Sequence, residues 1–442
     1  VIDPASALDG QYDLLVRDGE IAAVDRARAW INLHDATLID ASGWWIVPGL
    51  IDPHVHLRDP GFPEKETILT GLRAAAAGGF ATVAAMANTS PVNDSPAVTR
   101  YMLERAGEAH CARLVAVSAV TQGLRGVEPV DFAAMVEAGA RLFSDDGIPI
   151  DDAAVLSRAL DETTRLGYAV ALHEEDRALS CDGALNAGAV SKHLGVTGYA
   201  HSAEPQRVRR DLAIAIGSGA AVHIAHVSTA ESLELIRAAR RHGAQVTCEA
   251  TPHHFTLDER AALTWGPNAK MNPPLRNRGD VEALRAAIRD GTVDMIATDH
   301  APHDPKSKRM EQLGAFFGPG RQAAHLEHDA AEIFAHAANG VVGLETSLGL
   351  ALDLVHRSLI EPPRLVEMMS LKPAALLRLE AGTLEVGAVA DITVIDPNLE
   401  WTVAPEKFLS KGRNTPFAGM RLKGRAVLTI VAGEIVYDGR KA

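Results

Sequence analysis

The chain has 442 residues, 47% of them hydrophobic and 23% charged, enough to bury a large core without disulfides or structural metals. Its 43 Lys and Arg against 57 Asp and Glu give a formal charge of −14, which argues against a nucleic-acid backbone or an anionic membrane as the main partner. Cys111, Cys181 and Cys248 form no Cys-x-x-Cys pair and point to a reducing cytoplasm, and there is neither a secretory pattern nor an apolar run near the ~18 residues of a membrane helix.

From the N-terminus to about Val47, short β-rich runs (13–16, 21–24 and 37–40) are punctuated by Gly10, Gly19 and Gly43. The last stretch has the same texture, with β-branched runs at 391–395 and 427–431 and turns at Gly433 and Gly439. The two ends are therefore expected to pair into one small β-domain, a sandwich built from residues 1–47 and 381–442.

Between them, strand-like runs alternate with Ala- and Leu-rich helical stretches. Expected strands are 49–56, 82–86, 114–120, 141–143, 169–173, 221–227, 245–250 and 295–298. Helical stretches include 67–77, 153–165, 206–216 and 230–242. Eight strands with helices between them predict a parallel (β/α)8 barrel over 48–380, with a helical segment from about Leu326 to Leu379 packed outside. An open doubly wound sheet would want a Gly-rich phosphate fingerprint after its first strand, and none follows it.

His54-Val-His56 ends the first barrel strand, and residues two apart on a strand share a face, so both imidazoles can reach one metal. Asp145 and Asp146 end the fourth strand, His173 the fifth, His226 the sixth and Asp299 the eighth. Barrel active sites assemble at these C-terminal ends. Four imidazoles and two carboxylates suit a pair of borderline divalent ions, zinc above all. His223 lies three residues before His226 and is expected to face away in a structural role. His253 and His254 are expected to support the site from behind, and His110, His193 and His242 to lie at the surface. Cys248 is expected to pack as a small apolar side chain.

The run Pro48-Gly-Leu-Ile-Asp-Pro-His-Val-His-Leu-Arg-Asp-Pro-Gly61 resembles the amidohydrolase superfamily, and within it the class I dihydroorotases. Similar motifs recur at Asn88-Thr89, Ser144-Asp-Asp-Gly147, His226-Val-Ser-Thr229, Met271-Asn-Pro-Pro274, Ala297-Thr-Asp-His-Ala-Pro-His303, Gly343-Leu-Glu-Thr346 and Ser410-Lys-Gly-Arg-Asn-Thr-Pro-Phe417. The resemblance implies that His54 and His56 hold one metal and His173 and His226 the other. It implies an aspartate bridge in place of the carboxylated lysine of many relatives, with Asp146 favoured over Asp145. Asp299 would be a ligand and the general acid/base, acting with a metal-bridging hydroxide. Arg58, Asn88 and His303 would hold a substrate carboxylate, Asn272 would contact the ring, and the backbone of Asn339-Gly340 would add a further contact.

The implied reaction is reversible closure of N-carbamoyl-L-aspartate to L-dihydroorotate, a step of pyrimidine synthesis. The rival expectations are an allantoinase or hydantoinase, and a non-catalytic scaffold for aspartate transcarbamoylase. The resemblance also suggests a homodimer and leaves a complex with aspartate transcarbamoylase open. Three features depart from the pattern. Ala85-Met-Ala-Asn88 lacks two prolines and should loosen the turn that aims Asn88. Pro53 falls inside the first strand, where it forfeits a ladder hydrogen bond. The connection from His303 to about Ala338 is long, and reads equally as a lid or as a surface insertion.

Overall fold

The computed structural model describes residues 1–26 and 36–441. Eight parallel strands, Leu50–Val55, Phe80–Ala85, Arg113–Ser118, Ala140–Phe143, Val170–Leu172, Val222–Ile224, Val246–Ala250 and Met295–Ile296, lie in chain order in one sheet. The sheet closes where Val55 bridges His300 and the His56 N–H donates to the His300 carbonyl at 2.8 Å. All eight strands are where the alternation of the sequence puts them, within a few residues at each end.

The helices start and stop on local chemistry. Asp152 caps Ala153–Leu166 by accepting from Ala154 and Val155, Thr229 caps Ala230–Arg241, and Asn277 caps Arg278–Asp290. Gly79, Gly167 and Gly219 end their helices at φ of 94°, 77° and 68°, which a side chain would resist. Their apolar stripes then bury against the outward-facing strand residues in one continuous core.

Inward-facing residues, including Ile51, Ala84, Val115, Val117, Leu142 and Ala171, fill the barrel and meet Ala374 and Leu377. The helical segment was expected outside, yet its last turn, Lys372–Leu376, covers the floor of the barrel. The Ser370 hydroxyl fastens that floor by donating to the Gly49 carbonyl at 2.8 Å, at the N-terminal end of the first strand. With one end plugged, the opposite end is left for chemistry.

Pro53 finds its place in a bulge. Asp52 pairs with Val83 and Val55 with Ala85, three steps against two, so the ladder already skips a bond where the proline has no N–H to give. The small sheet runs Glu434–Asp438, Arg421–Val431, Ile392–Thr402, Trp45–Pro48, all antiparallel. The hairpin of Tyr12–Arg17 and Glu20–Arg26 lays Leu14, Val16, Ile21 and Val24 against Ile392, Val394, Leu428 and Ile430, making the second layer. Residues 37–40 form no strand: Leu38 is 78% exposed, and the Asp40 carboxylate accepts from the Ser42 N–H in a local turn. The long connection carries Met310–Leu313 and His328–Ala335, and its Leu313, Phe317, Leu326 and Phe334 pack with Leu185, Leu194, Met271 and Leu275 in a separate apolar cluster.

Phe143 ends the fourth strand with its ring edge-on to Phe132 at 4.9 Å and to Tyr168 at 6.2 Å. Truncating it leaves a cavity between the fourth strand and the rings of Phe132 and Tyr168. Phe143→Ala should therefore cost about 3–5 kcal/mol in urea unfolding.

Candidate active site

The strand ends deliver their ligand-type side chains by turning sharply off the sheet. Arg58, His226 and Asp299 sit at φ of 61°, 33° and 46°, a conformation that costs roughly 1–3 kcal/mol per non-glycine residue. Strain at three such positions around one cavity is what aims these side chains at one another.

Asp146 is the centre. Its two carboxylate oxygens lie 3.5 Å from His54 Nε2, 3.3 Å from His56 Nε2, 3.5 Å from His173 Nδ1 and 3.3 Å from His226 Nε2. Asp145 points elsewhere: it accepts from the N–H groups of Val120 and Thr121 at 2.7 and 3.0 Å, and from the Thr121 hydroxyl. Asp299 completes the cluster, with Oδ1 3.1 Å from His56 Nε2 and 3.7 Å from His54 Nε2. Burial alone would raise both inward-facing carboxyls. Instead His54, with hydrogen bonds from His173 and His226, holds Asp146 well below the carboxylate range, and His56 and His54 hold Asp299 at about 2. Burial would lower the His173 imidazole, but Asp146 and Glu175 raise it to about 10.

The residues fit a divalent metal. His54, His56 and Asp299 form one group of converging donors and His54, Asp146 and His226 another, each within 4.8 Å. His54 Nε2 is buried and makes no hydrogen bond, so its lone pair faces the space between these groups. Three of the four imidazoles are also held from behind, through the other ring nitrogen. His54 Nδ1 bonds Glu249 Oε1 at 2.7 Å, and His56 Nδ1 bonds Asn88 Oδ1 at 2.8 Å. His173 Nε2 lies 3.3 Å from Glu175 Oε2.

Sequence reasoning passed over Glu249 and Glu175. The visible signal was a lone carboxylate inside an apolar strand, and an acid two residues past His173. His223 does face away from the cluster, but not idly: its Nε2 bonds the second oxygen of Glu249 at 3.0 Å. Burial would raise the Glu249 carboxyl, yet His54 and His223 hold it well below its ordinary range, so it is an anion between two imidazoles. His254 is a structural brace, set between Thr251 and the Pro273 carbonyl, whereas His253 Nε2 is buried without a hydrogen bond. His110, His193 and His242 are exposed, and Cys248 is buried, donating to the Thr292 carbonyl.

A second group stands beside the cluster. Arg58 reaches the Pro302 carbonyl and lies 3.4 Å from His303 Nε2, and its guanidinium is pulled down to about 10 by burial. Asn88, despite its proline-poor turn, is fixed by His56. The Asn272 amide donates to Glu175 at 2.8 Å and leaves its Oδ1 buried and unpartnered. His303 Nε2 bonds the Asn339 carbonyl at 2.7 Å, so the Asn339-Gly340 backbone also borders this side.

A parallel barrel with imidazoles and carboxylates converging at its C-terminal mouth defines an amidohydrolase-type hydrolase. Residues 43–232 match the family described as Dihydro-orotase-like, and residues 356–437 match the Amidohydrolase family. The chain is 45% identical over 438 residues to the dihydroorotase of Citrifermentans bemidjiense, covering 99% of this chain and 98% of that protein. It is 46% identical over 441 residues to that of Pelotomaculum thermopropionicum, covering 100% and 97%. Among solved structures, the L-hydantoinase of Arthrobacter aurescens superposes with a TM-score of 0.84 at 26% identity, covering 97% of this chain and 92% of that one. The dihydropyrimidinase of Brevibacillus agri gives 0.80 at 22% identity, covering 99% and 94%, and shares the fold. The chain belongs to the dihydroorotase family of cyclic amide hydrolases.

A carboxylate behind a ligand histidine fixes its tautomer and raises its basicity, and losing such support typically costs about 10–100-fold in metal affinity. Glu249→Gln should weaken metal retention by that factor, measured by metal content across a series of chelator concentrations.

Proposed function

We propose that this chain catalyses the reversible cyclisation of N-carbamoyl-L-aspartate to L-dihydroorotate in pyrimidine synthesis. The observation that carries the reading is the placement of Arg58 and His303 beside the Asp146 and Asp299 cluster: a carboxylate-binding cation next to hydrolytic machinery. The two-oxygen geometry of a carboxylate matches a guanidinium fork, which a lysine would not reproduce. Asn88, Asn272 and the Asn339-Gly340 backbone complete the substrate's surroundings in this reading.

His54, His56, Asp146, His173, His226 and Asp299 would hold two zinc ions. When bound, such ions lower the pKa of water from 15.7 to about 7 and polarise an amide carbonyl. The protein's own part is positioning and proton transfer. In the hydrolytic direction Asp299 takes the proton of the attacking water and passes it to the departing ring nitrogen; in closure it returns the proton to the oxygen that leaves. Arg58 fixes the substrate carboxylate, so the reacting carbonyl is presented to Asp299 in one orientation.

Around this site the reading extends to a chain organised as a small β-domain from residues 1–47 and 381–442 about the barrel of 48–380. The pairing of Trp45–Pro48 with Ile392–Ile395 supports that division. A cytoplasmic homodimer, able to assemble with aspartate transcarbamoylase, completes the proposal. No described helix is long and apolar enough to cross a membrane.

Metal analysis coupled to a dihydroorotate assay tests the core of the reading. Wild-type turnover should depend on bound metal, and Asp146→Ala should lose both turnover and metal; metal with no dihydroorotate turnover in the wild type points to another cyclic amide. Closure also consumes one proton. The equilibrium ratio of dihydroorotate to carbamoyl aspartate should therefore fall about tenfold per unit rise in pH, the slope one proton gives. A ratio flat with pH refutes the assignment.

A further inference from the structure

Lys308 is the least expected side chain in the molecule: a lysine 1% exposed, in the long connection after His303, with no part in the chemistry above. Its Nζ donates to the carbonyls of Ala338 at 2.8 Å, Gly340 at 2.9 Å and Lys270 at 3.2 Å. Three acceptors need three N–H groups, which an ammonium has and a neutral amine lacks. Burial and the neighbouring Lys270 pull the group toward the neutral amine, and the three carbonyl bonds work against that pull.

The carbonyls it gathers are not a random set. Successive carbonyls of an extended backbone point to opposite sides. With those of Ala338 and Gly340 drawn to Lys308, the one between them, on Asn339, points the other way and meets His303 Nε2 at 2.7 Å. Further bonds fix the same backbone: Gly340 N–H donates to the Lys270 carbonyl at 2.9 Å, and Asn414 Nδ2 donates to Gly340 and Ala301, both at 3.0 Å. Gly340 lies at φ 122°, and a Cβ there would sit 2.6 Å from the Ala301 Cβ. A carbonyl at 2.7 Å accepts, so His303 carries its proton on Nε2. Its Nδ1 is buried and unpartnered. The ring is neutral, because burial and the cations of Arg58 and Lys308 push its pKa down to about 2.

We propose that Lys308 is a positioning residue for substrate binding: by clamping the carbonyls on either side of Asn339 it sets the tautomer and orientation of His303. The proposal rests on the reading that His303, with Arg58, receives the substrate carboxylate. With its one N–H held by the Asn339 carbonyl, the ring lies in a single fixed orientation beside Arg58 when that group arrives, instead of being free to turn over. Lys308 touches neither substrate nor metal ligands, so its removal should weaken substrate binding and leave the chemical step intact.

The test compares Lys308→Met, His303→Asn and wild type in the metal-loaded enzyme, with thermal unfolding and metal content as controls. Lys308→Met should raise KM for dihydroorotate about tenfold with kcat within about twofold, the signature of lost ground-state positioning. Carbon-13 labelling of histidine, with the His303 signal identified by its loss in His303→Asn, should show the Nε2–H tautomer in the wild type and a mixture in Lys308→Met. A raised KM in His303→Asn with an unchanged KM and tautomer in folded Lys308→Met overturns the proposal and leaves the His303 reading standing. An unchanged KM in His303→Asn overturns that reading instead, and the proposal with it. If Lys308→Met does not fold, Lys308→Gln, which keeps two N–H donors and similar length, replaces it with the same outcomes. A wild-type His303 on the Nδ1–H tautomer overturns the proposal without any Lys308 variant.

Discussion

The constraint behind this molecule is the confinement of ionised groups in a space almost without water. Asp146 and Asp299 are 6% exposed and His54 is fully buried, so none of them can rely on solvent for its charge. They rely on each other. An isolated buried carboxylate would protonate, whereas these are surrounded by imidazoles at 3.1–3.7 Å and remain anionic. Such a cluster is as favourable a cradle for a cation as a protein interior offers. Its cost appears in the backbone, at the left-handed conformations of Arg58, His226 and Asp299.

Around that centre the supporting bonds are directional. Three of the four imidazoles have, on the nitrogen turned away from Asp146, a partner whose chemistry decides which nitrogen carries hydrogen: Glu249 behind His54, Asn88 behind His56, Glu175 behind His173. Glu249 is itself fixed by His223, so a residue with no access to the cavity has a say in its basicity. The substrate side follows the same logic with backbone carbonyls in place of carboxylates. Rigidity in a site of this kind is distributed over pairs of groups, and a single truncation is felt two residues away.

Much of this was legible in the chain before any coordinates. Eight strands and their helices show in the alternation of apolar runs, because each strand's inner and outer faces both need covering. His54, His56, Asp146, His173, His226 and Asp299 were visible because barrels place functional groups at strand ends. The choice between Asp145 and Asp146 was not visible in alternation alone, since the chain leaves the sheet there and period-two reasoning stops at the last ladder bond. Pro53 looked like a defect for the same reason; a bulge is a property of two strands, and one strand's sequence does not reveal it. Residues 37–40 misled because β propensity counts only where a partner strand is present. Glu249 and Lys308 were invisible because the partners that give them a role are distant in sequence: His54 lies 195 residues from Glu249, and Ala338 and Gly340 lie 30 and 32 from Lys308.

The small sheet has one further consequence, for how the chain is made. Two threonine hydroxyls from its C-terminal strands, Thr393 and Thr429, donate to the carbonyls of Gly79 and Ala76, across 314 and 353 residues of sequence. The end of the first barrel helix, and the Trp45–Pro48 strand leading into the barrel, thus find these partners only far downstream in the chain. A nascent chain can form its helices and most of its strands early, yet the carbonyls at the end of that first helix stay without their threonine partners until Thr393 and Thr429 have been made. Closing the first helix onto the small sheet is therefore a long-range step that comes late in folding, and a chain cut short before Ile392 carries an exposed seam where that sheet should lie.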